Sequence, residues 1–123
     1  MDDSNTSLAT LKEVLQQFVD ERDWNQFHAP KNLAMALSIE AAELMEHFQW
    51  ISVQESREVK LSAEKKAAAA EELADVFSYT LAIANAMDID LTETYIKKMA
   101  KNRKKYPADE FQGRWGQGHD PNE

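Results

Sequence analysis

The chain has 123 residues, 22 acidic against 14 basic side chains and a formal net charge of −8. This length suits one domain, on a prior of roughly 100–200 residues each, and 43% hydrophobic with 29% charged residues can fill a core. The acidic balance disfavours nucleic acid as a partner, and the absence of cysteine removes disulfides, thiol nucleophiles and cysteine zinc sites.

Met1 to Thr10 is acidic and polar where a secretory signal would be basic and then apolar. No apolar run approaches the roughly 18 residues of a membrane span. The expectation is a cytoplasmic protein with no membrane partner. All three glycines (Gly113, Gly116 and Gly118) lie near the C-terminus, and no proline occurs between Pro30 and Pro107. A β domain would need turn residues that are missing here, so the spacing predicts an all-α, four-helix bundle-like domain over residues 1–107. Residues 108–123 mix Gly, Pro, Asp and Asn around Phe111 and Trp115 and read as a flexible tail with one aromatic anchor.

The first helix is expected from about Ser7 to Arg22, with Leu8, Leu11, Leu15, Phe18 and Val19 on one stripe. The second starts at Pro30, a residue favoured at the first helical position, and runs to about Gln49. A polar bridge, Ile51 to Leu61, has room for a short helical turn. The third helix follows Ser62 as N-cap and continues to about Met87. The fourth begins at Asp90, which forms a capping-box-like pair with Glu93, and ends near Lys105.

On a wheel of about 100° per residue, Leu33, Leu37, Ala41, Leu44 and Phe48 form the apolar stripe of the second helix, with Glu40, Glu43 and His47 along its edge. The third helix repeats the pattern. There Leu73, Val76, Thr80, Ile83 and Ala84 make the stripe, and Glu72, Asp75 and Tyr79 the edge. No Lys or Arg occurs from Asn32 to Ser56 or from Ala67 to Ile96, so no cation on either helix is expected to pair with these acids. Side by side, the helices would bring four carboxylates together, and repulsion would raise their pKa values or demand a counterion. Hard oxygen donors without cysteine favour Mg²⁺, with Mn²⁺ as the other possibility. The competing reading of each acidic pair is ordinary solvated helix surface.

Lys97, Lys98, Lys101, Arg103, Lys104 and Lys105 crowd the end of the fourth helix. They complement the helix dipole, and Lys98, Asn102 and Lys105 also share one face that suits a polyphosphate. Trp24 and Trp50 flank the second helix, and His28 precedes it. Trp50, seven residues beyond Glu43, is expected to continue the carboxylate edge and set an indole beside the cation. Indoles are otherwise core or interface residues.

These residues resemble the MazG-like all-α NTP pyrophosphatases, in particular the dCTP pyrophosphatase branch. The family's ExxE and ExxD motifs read Glu40-Ala-Ala-Glu43 and Glu72-Leu-Ala-Asp75. The similarity extends through Glu21-Arg-Asp-Trp-Asn-Gln-Phe-His28, Pro30-Lys-Asn-Leu33, Glu43 to Trp50, Glu72 to Tyr79 and Lys98 to Pro107. It implies Glu40, Glu43, Glu72 and Asp75 as catalytic Mg²⁺ ligands and Trp24, His28, Trp50 and Tyr79 as the nucleoside pocket. Lys98 and Asn102 match polar positions near the ligand. The implied reaction is hydrolysis of a nucleoside triphosphate between its α and β phosphates, with Glu40 the preferred candidate for general base.

The second helix also carries Met35 and Ile39 opposite its main stripe. A helix apolar on two sides packs on two sides, so a homodimer is expected, or the tetramer the resemblance suggests. Two rival functions remain at this level. One is a related enzyme on the same scaffold, a dUTP diphosphatase or a phosphoribosyl-ATP pyrophosphohydrolase. The other is a non-catalytic helical interaction module.

Overall fold

A computed structural model describes residues 1–114. It is all-helical, with no strand among the described residues. Helix α1 (Leu8–Glu21) begins at Ser7, whose hydroxyl accepts the Thr10 N–H at 3.1 Å. Helix α2 (Pro30–Glu46) begins with its proline in the first turn, where a missing N–H leaves no hydrogen bond broken. The polar bridge forms α3 (Val53–Glu58), capped by Ser52, and a 3-10 turn, Val59–Leu61. Helix α4 (Ala63–Ala86) is the longest helix among the described residues, at 24 residues or about 36 Å, and Ser62 caps it by accepting the Lys65 N–H. Helix α5 (Leu91–Lys105) is capped by Asp90, which accepts the Glu93 N–H at 2.8 Å. The capping box is half made, because the Glu93 carboxylate pairs with Lys97 at 2.6 Å.

Helices α1 and α4 stop without glycine. Helix α1 ends in a Schellman turn and α4 in a related turn with the long bond alone, with Asp23 (φ 52°) and Asp88 (φ 52°) in the left-handed conformation. The Trp24 N–H reaches Val19 O at 3.0 Å and the Asp23 N–H reaches Asp20 O at 3.1 Å, closing the end of α1. The Ile89 N–H reaches Ala84 O at 2.9 Å and does the same for α4. Aspartate tolerates this backbone better than most side chains, so a sequence with so few glycines can still turn.

The chain divides into two compact units, Met1–Ile89 and the part from Asp90 onward. In the first, α1 and α2 both pack on α4. Val19, Leu33, Leu81, Ala82 and Ala84 are its buried apolar side chains, and the two alanines let the helices approach closely. The Lys12 ammonium donates to the carbonyl of Ile89, and the Asn85 amide donates to Lys12 O at 3.2 Å, tying α1 to the end of α4. In the second unit, α5 is followed by α6 (Ala108–Phe111), where Phe111 meets Tyr106 edge-on at 5.1 Å.

All four long helices lie where the periodicity puts them, with three differences of detail. Helix α2 ends at Glu46, because beyond it the His47, Phe48 and Ile51 amides bond three residues back, in tight turns. Leu73, expected inside, is 57% exposed, since the buried residues of α4, Leu81, Ala82 and Ala84, begin about two turns further along the helix. Residues 108–111 form a helical turn in place of loose chain. Trp115 lies outside the described residues.

Candidate functional site

Helices α2 and α4 pack side by side, and this contact brings their acidic edges together. One carboxylate oxygen each from Glu40, Glu43 and Glu72 lies within 4.8 Å of the others. Glu40 Oε2 and Glu72 Oε2 are sealed from solvent and have no hydrogen-bond partner. Such an arrangement costs free energy unless a proton or a cation sits between the oxygens.

The titration behaviour has the same origin. The Glu40 carboxyl is raised above its ordinary 4.5 by contact with the Glu43 carboxyl, then by burial and by the negative charges of Glu43, Asp75 and Glu72. Glu72 is also raised, first by burial and then by the Glu43 charge and contact and by Asp75. Asp75 thus acts on both through its charge, although it is not one of the three that meet within 4.8 Å. The donor set is all oxygen, anionic and partly desolvated, and it fits a hard divalent cation.

A cleft of about 560 Å³ opens beside these acids. Glu40 and Asp75 stand on its wall together with Trp24, His28 and Tyr79. Leu11, Val14 and Phe18 of α1 and Phe77 and Leu81 of α4 supply an apolar lining. The Trp24 ring is braced by Phe18, edge to face at 5.6 Å, and the Arg22 guanidinium covers that phenyl ring at 3.7 Å. Acids that share a cleft with an indole, an imidazole and a phenol offer a cation and a stacking surface to one ligand.

The MazG-like family model matches residues 35–120. This chain belongs to the MazG-like family. A pyrophosphatase from Archaeoglobus fulgidus, known from its crystal structure, superposes with a TM-score of 0.77 at 40% identity, over 87% of this chain and 98% of that one. The dCTP pyrophosphatase 1 of Mus musculus is 41% identical over 102 residues, which is 83% of this chain and 60% of the relative. Its counterpart from Bos taurus is 39% identical over 105 residues, or 85% and 62%. The chain therefore spans about three-fifths of the length of these curated relatives.

In this MazG-like chain the remaining sequence-predicted residues lie apart from the cleft or in the other unit. Trp50 is 88% exposed and follows the end of α2, so it does not continue the carboxylate edge. The wheel fails there because the chain has already left the helix. Lys98 and Asn102 lie on α5 in the second compact unit, where the Asn102 amide donates weakly to Met99 sulfur at 3.8 Å. One neighbour of the acids was discounted by counting only Lys and Arg. His47 Nε2 lies 3.9 Å from Glu72 Oε1 and, when protonated, is a cation beside the cluster. The signal was present, since His47 follows Glu40 and Glu43 on the same helical edge.

Proposed function

We propose that the protein is a Mg²⁺-dependent nucleoside triphosphate pyrophosphohydrolase that prefers dCTP or a related deoxynucleotide and releases monophosphate and pyrophosphate. One observation carries the reading: Glu40 belongs both to the three-carboxylate cluster and to the wall of the cleft that holds Trp24, His28 and Tyr79. A cluster that fits a cation for the phosphates and a surface for a base thus meet at one residue. The names of the relatives, dCTP pyrophosphatase 1 and a pyrophosphatase, support the same chemistry.

Glu40, Glu43 and Glu72, with Asp75 at the cleft, are the residues that would hold Mg²⁺, or Mn²⁺ in its place. When bound, the cation supplies charge neutralisation on the phosphates and Lewis-acid activation of water. Glu40 is the proton acceptor. It alone of the three meeting carboxylates reaches the cleft. Trp24 and Tyr79 present aromatic faces to the base, and His28 offers a ring nitrogen for hydrogen bonding. Trp50, Lys98 and Asn102 are assigned to substrate on the resemblance alone.

The role is removal of excess or non-standard deoxynucleotides, in the cytoplasm, by a homo-oligomer that engages neither nucleic acid nor membrane. No helix among the described residues is long and apolar enough to cross a membrane. The test is pyrophosphate release from dCTP, dUTP, phosphoribosyl-ATP and the ribonucleoside triphosphates with Mg²⁺, beside Glu43→Ala and Glu72→Ala. We expect dCTP to lead and both variants to lose at least about 100-fold in kcat, the scale of removing groups that stabilise transition-state charge. Preference for dUTP or phosphoribosyl-ATP would move the assignment to a related enzyme. No cleavage by folded wild type would leave a helical interaction module.

A further inference from the structure

The turn between α1 and α2 carries Trp24 and His28, and its own attachment to α1 is made by three side chains. Gln16 Nε2 donates to Asp20 Oδ1 at 2.8 Å and to Asn25 Oδ1 at 3.0 Å, while Asn25 Nδ2 donates to the same Asp20 oxygen at 2.6 Å. The three form a closed ring of hydrogen bonds. Asn25 is its pivot, because its backbone carbonyl also accepts the His28 N–H at 3.1 Å. Immediately before it, the Trp24 carbonyl accepts the Phe27 N–H at 2.9 Å, and the Trp24 N–H is held by Val19 of α1. Asn25, which directly follows Trp24, is thus locked to α1 through its side-chain amide and to His28 through its backbone carbonyl.

Resting on the reading of the cleft as a nucleoside pocket, we propose that Gln16, Asp20 and Asn25 are positioning residues for nucleoside recognition, a clamp that fixes Trp24 and His28 against the cleft. They act through those rings. Gln16 and Asn25 line a separate recess of about 260 Å³ with His28, and no member of the ring lines the cleft beside Glu40. The local backbone needs such a restraint. Asp23 sits in the left-handed region and the 3-10 turn Asn25–Phe27 is a single turn, which has little stability of its own. Asp20 suits the part, since the Asn25 and then the Gln16 hydrogen bonds hold its carboxyl below the usual range, leaving it an acceptor for both amides at neutral pH.

The clamp is tested in the full chain with Asp20→Ala, which removes the shared acceptor, and Asp20→Asn, which keeps a carbonyl oxygen there. We expect Asp20→Ala to raise KM for dCTP roughly fivefold and leave kcat within about twofold, as expected for a lost positioning hydrogen bond. Asp20→Asn restores KM. The Trp24 indole N–H resonance, assigned with Trp24→Phe, shifts or broadens in Asp20→Ala and not in Asp20→Asn. Gln16→Ala moves KM and resonance the same way by less, and it decides the matter should Asp20→Ala fail to fold. Wild-type values of KM and of the resonance in the alanine variants overturn the clamp, as does an Asp20→Asn variant as impaired as Asp20→Ala. If wild type does not hydrolyse dCTP, the functional reading falls by itself, and the Trp24 resonance alone then decides whether the ring holds the indole.

Discussion

Glu40 and Glu72 each hide an oxygen that no donor reaches, among other carboxylates that raise their affinity for protons. The folded protein therefore binds more protons than the unfolded chain just above the ordinary carboxylate range. By linkage, the stability these groups contribute falls as pH rises through their folded pKa values. Without metal, we expect Glu72→Gln to melt above wild type at neutral pH, with the advantage shrinking as the pH is lowered through the raised pKa of Glu72, where the wild-type carboxyl regains its proton. On the proposed reading, Mg²⁺ should raise the melting temperature of wild type and not of the variant, which would lose one of the proposed ligands. Thermal unfolding across pH, with Mg²⁺ or EDTA, measures both. An advantage that does not change with pH would mean that repulsion is not the source of the instability. On the proposed reading, the residues that weaken the fold are those that would hold the cation, and removing one should trade activity for stability.

Helix ends decide where the cleft lies. The Schellman turn after α1 delivers Trp24 to the cleft wall, and the related turn after α4 closes the first unit at Ile89. Both use aspartate at a positive φ, at a cost that glycine would not incur. Asp88 is exposed and distant in sequence from the acids, so Asp88→Gly should stabilise the protein by about 0.5–1 kcal/mol while leaving dCTP hydrolysis unchanged. Urea denaturation monitored by circular dichroism would read this as a higher midpoint at constant m. A lower midpoint would show that the aspartate side chain contributes more than its backbone conformation costs. Along α4, which meets α1 and α2 at once, small residues matter as much as large ones. Ala82 and Ala84 are buried where a larger side chain would push the helices apart.

The described residues expose large apolar side chains in a cluster on α2 that a single copy would leave in water. Met35 (57% exposed) and Ile39 (60%) lie a turn apart on the outer face of α2, and Phe77 of α4 is also partly open. Few apolar side chains among the described residues are fully buried. A second copy covering the outer face of α2 would bury this surface as a core does. Light scattering is expected to give a dimer or tetramer. Met35→Lys combined with Ile39→Glu should dissociate it and lower its melting temperature, which in wild type should rise with protein concentration. A wild-type monomer at micromolar concentration would sink the idea.

The all-helical class, the four long helices and the pairing of Glu40 and Glu43 with Glu72 were legible because they depend on local rules. Periodicity marks a buried stripe, Ser7, Ser62 and Asp90 mark helix starts, and a shift of one repeat between helices puts like residues on facing edges. Such signals reach only as far as a helix stays a helix. Trp50 was misplaced because the wheel was carried past Glu46, where the chain turns, and Leu73 because a stripe's centre depends on which neighbours pack against it. His47 stands on the acidic edge in the sequence reading but does not count there as a cation, because an imidazole's charge depends on its surroundings, in contrast to Lys or Arg. The sequence by itself determined the residue types, the helices and the phase of the acids along them. Tertiary structure alone decided which carboxylates meet, which oxygens lose their water and which aromatic rings share a cleft with them. Those outcomes depend on the distance and rotation between packed helices, which no single helix's periodicity contains.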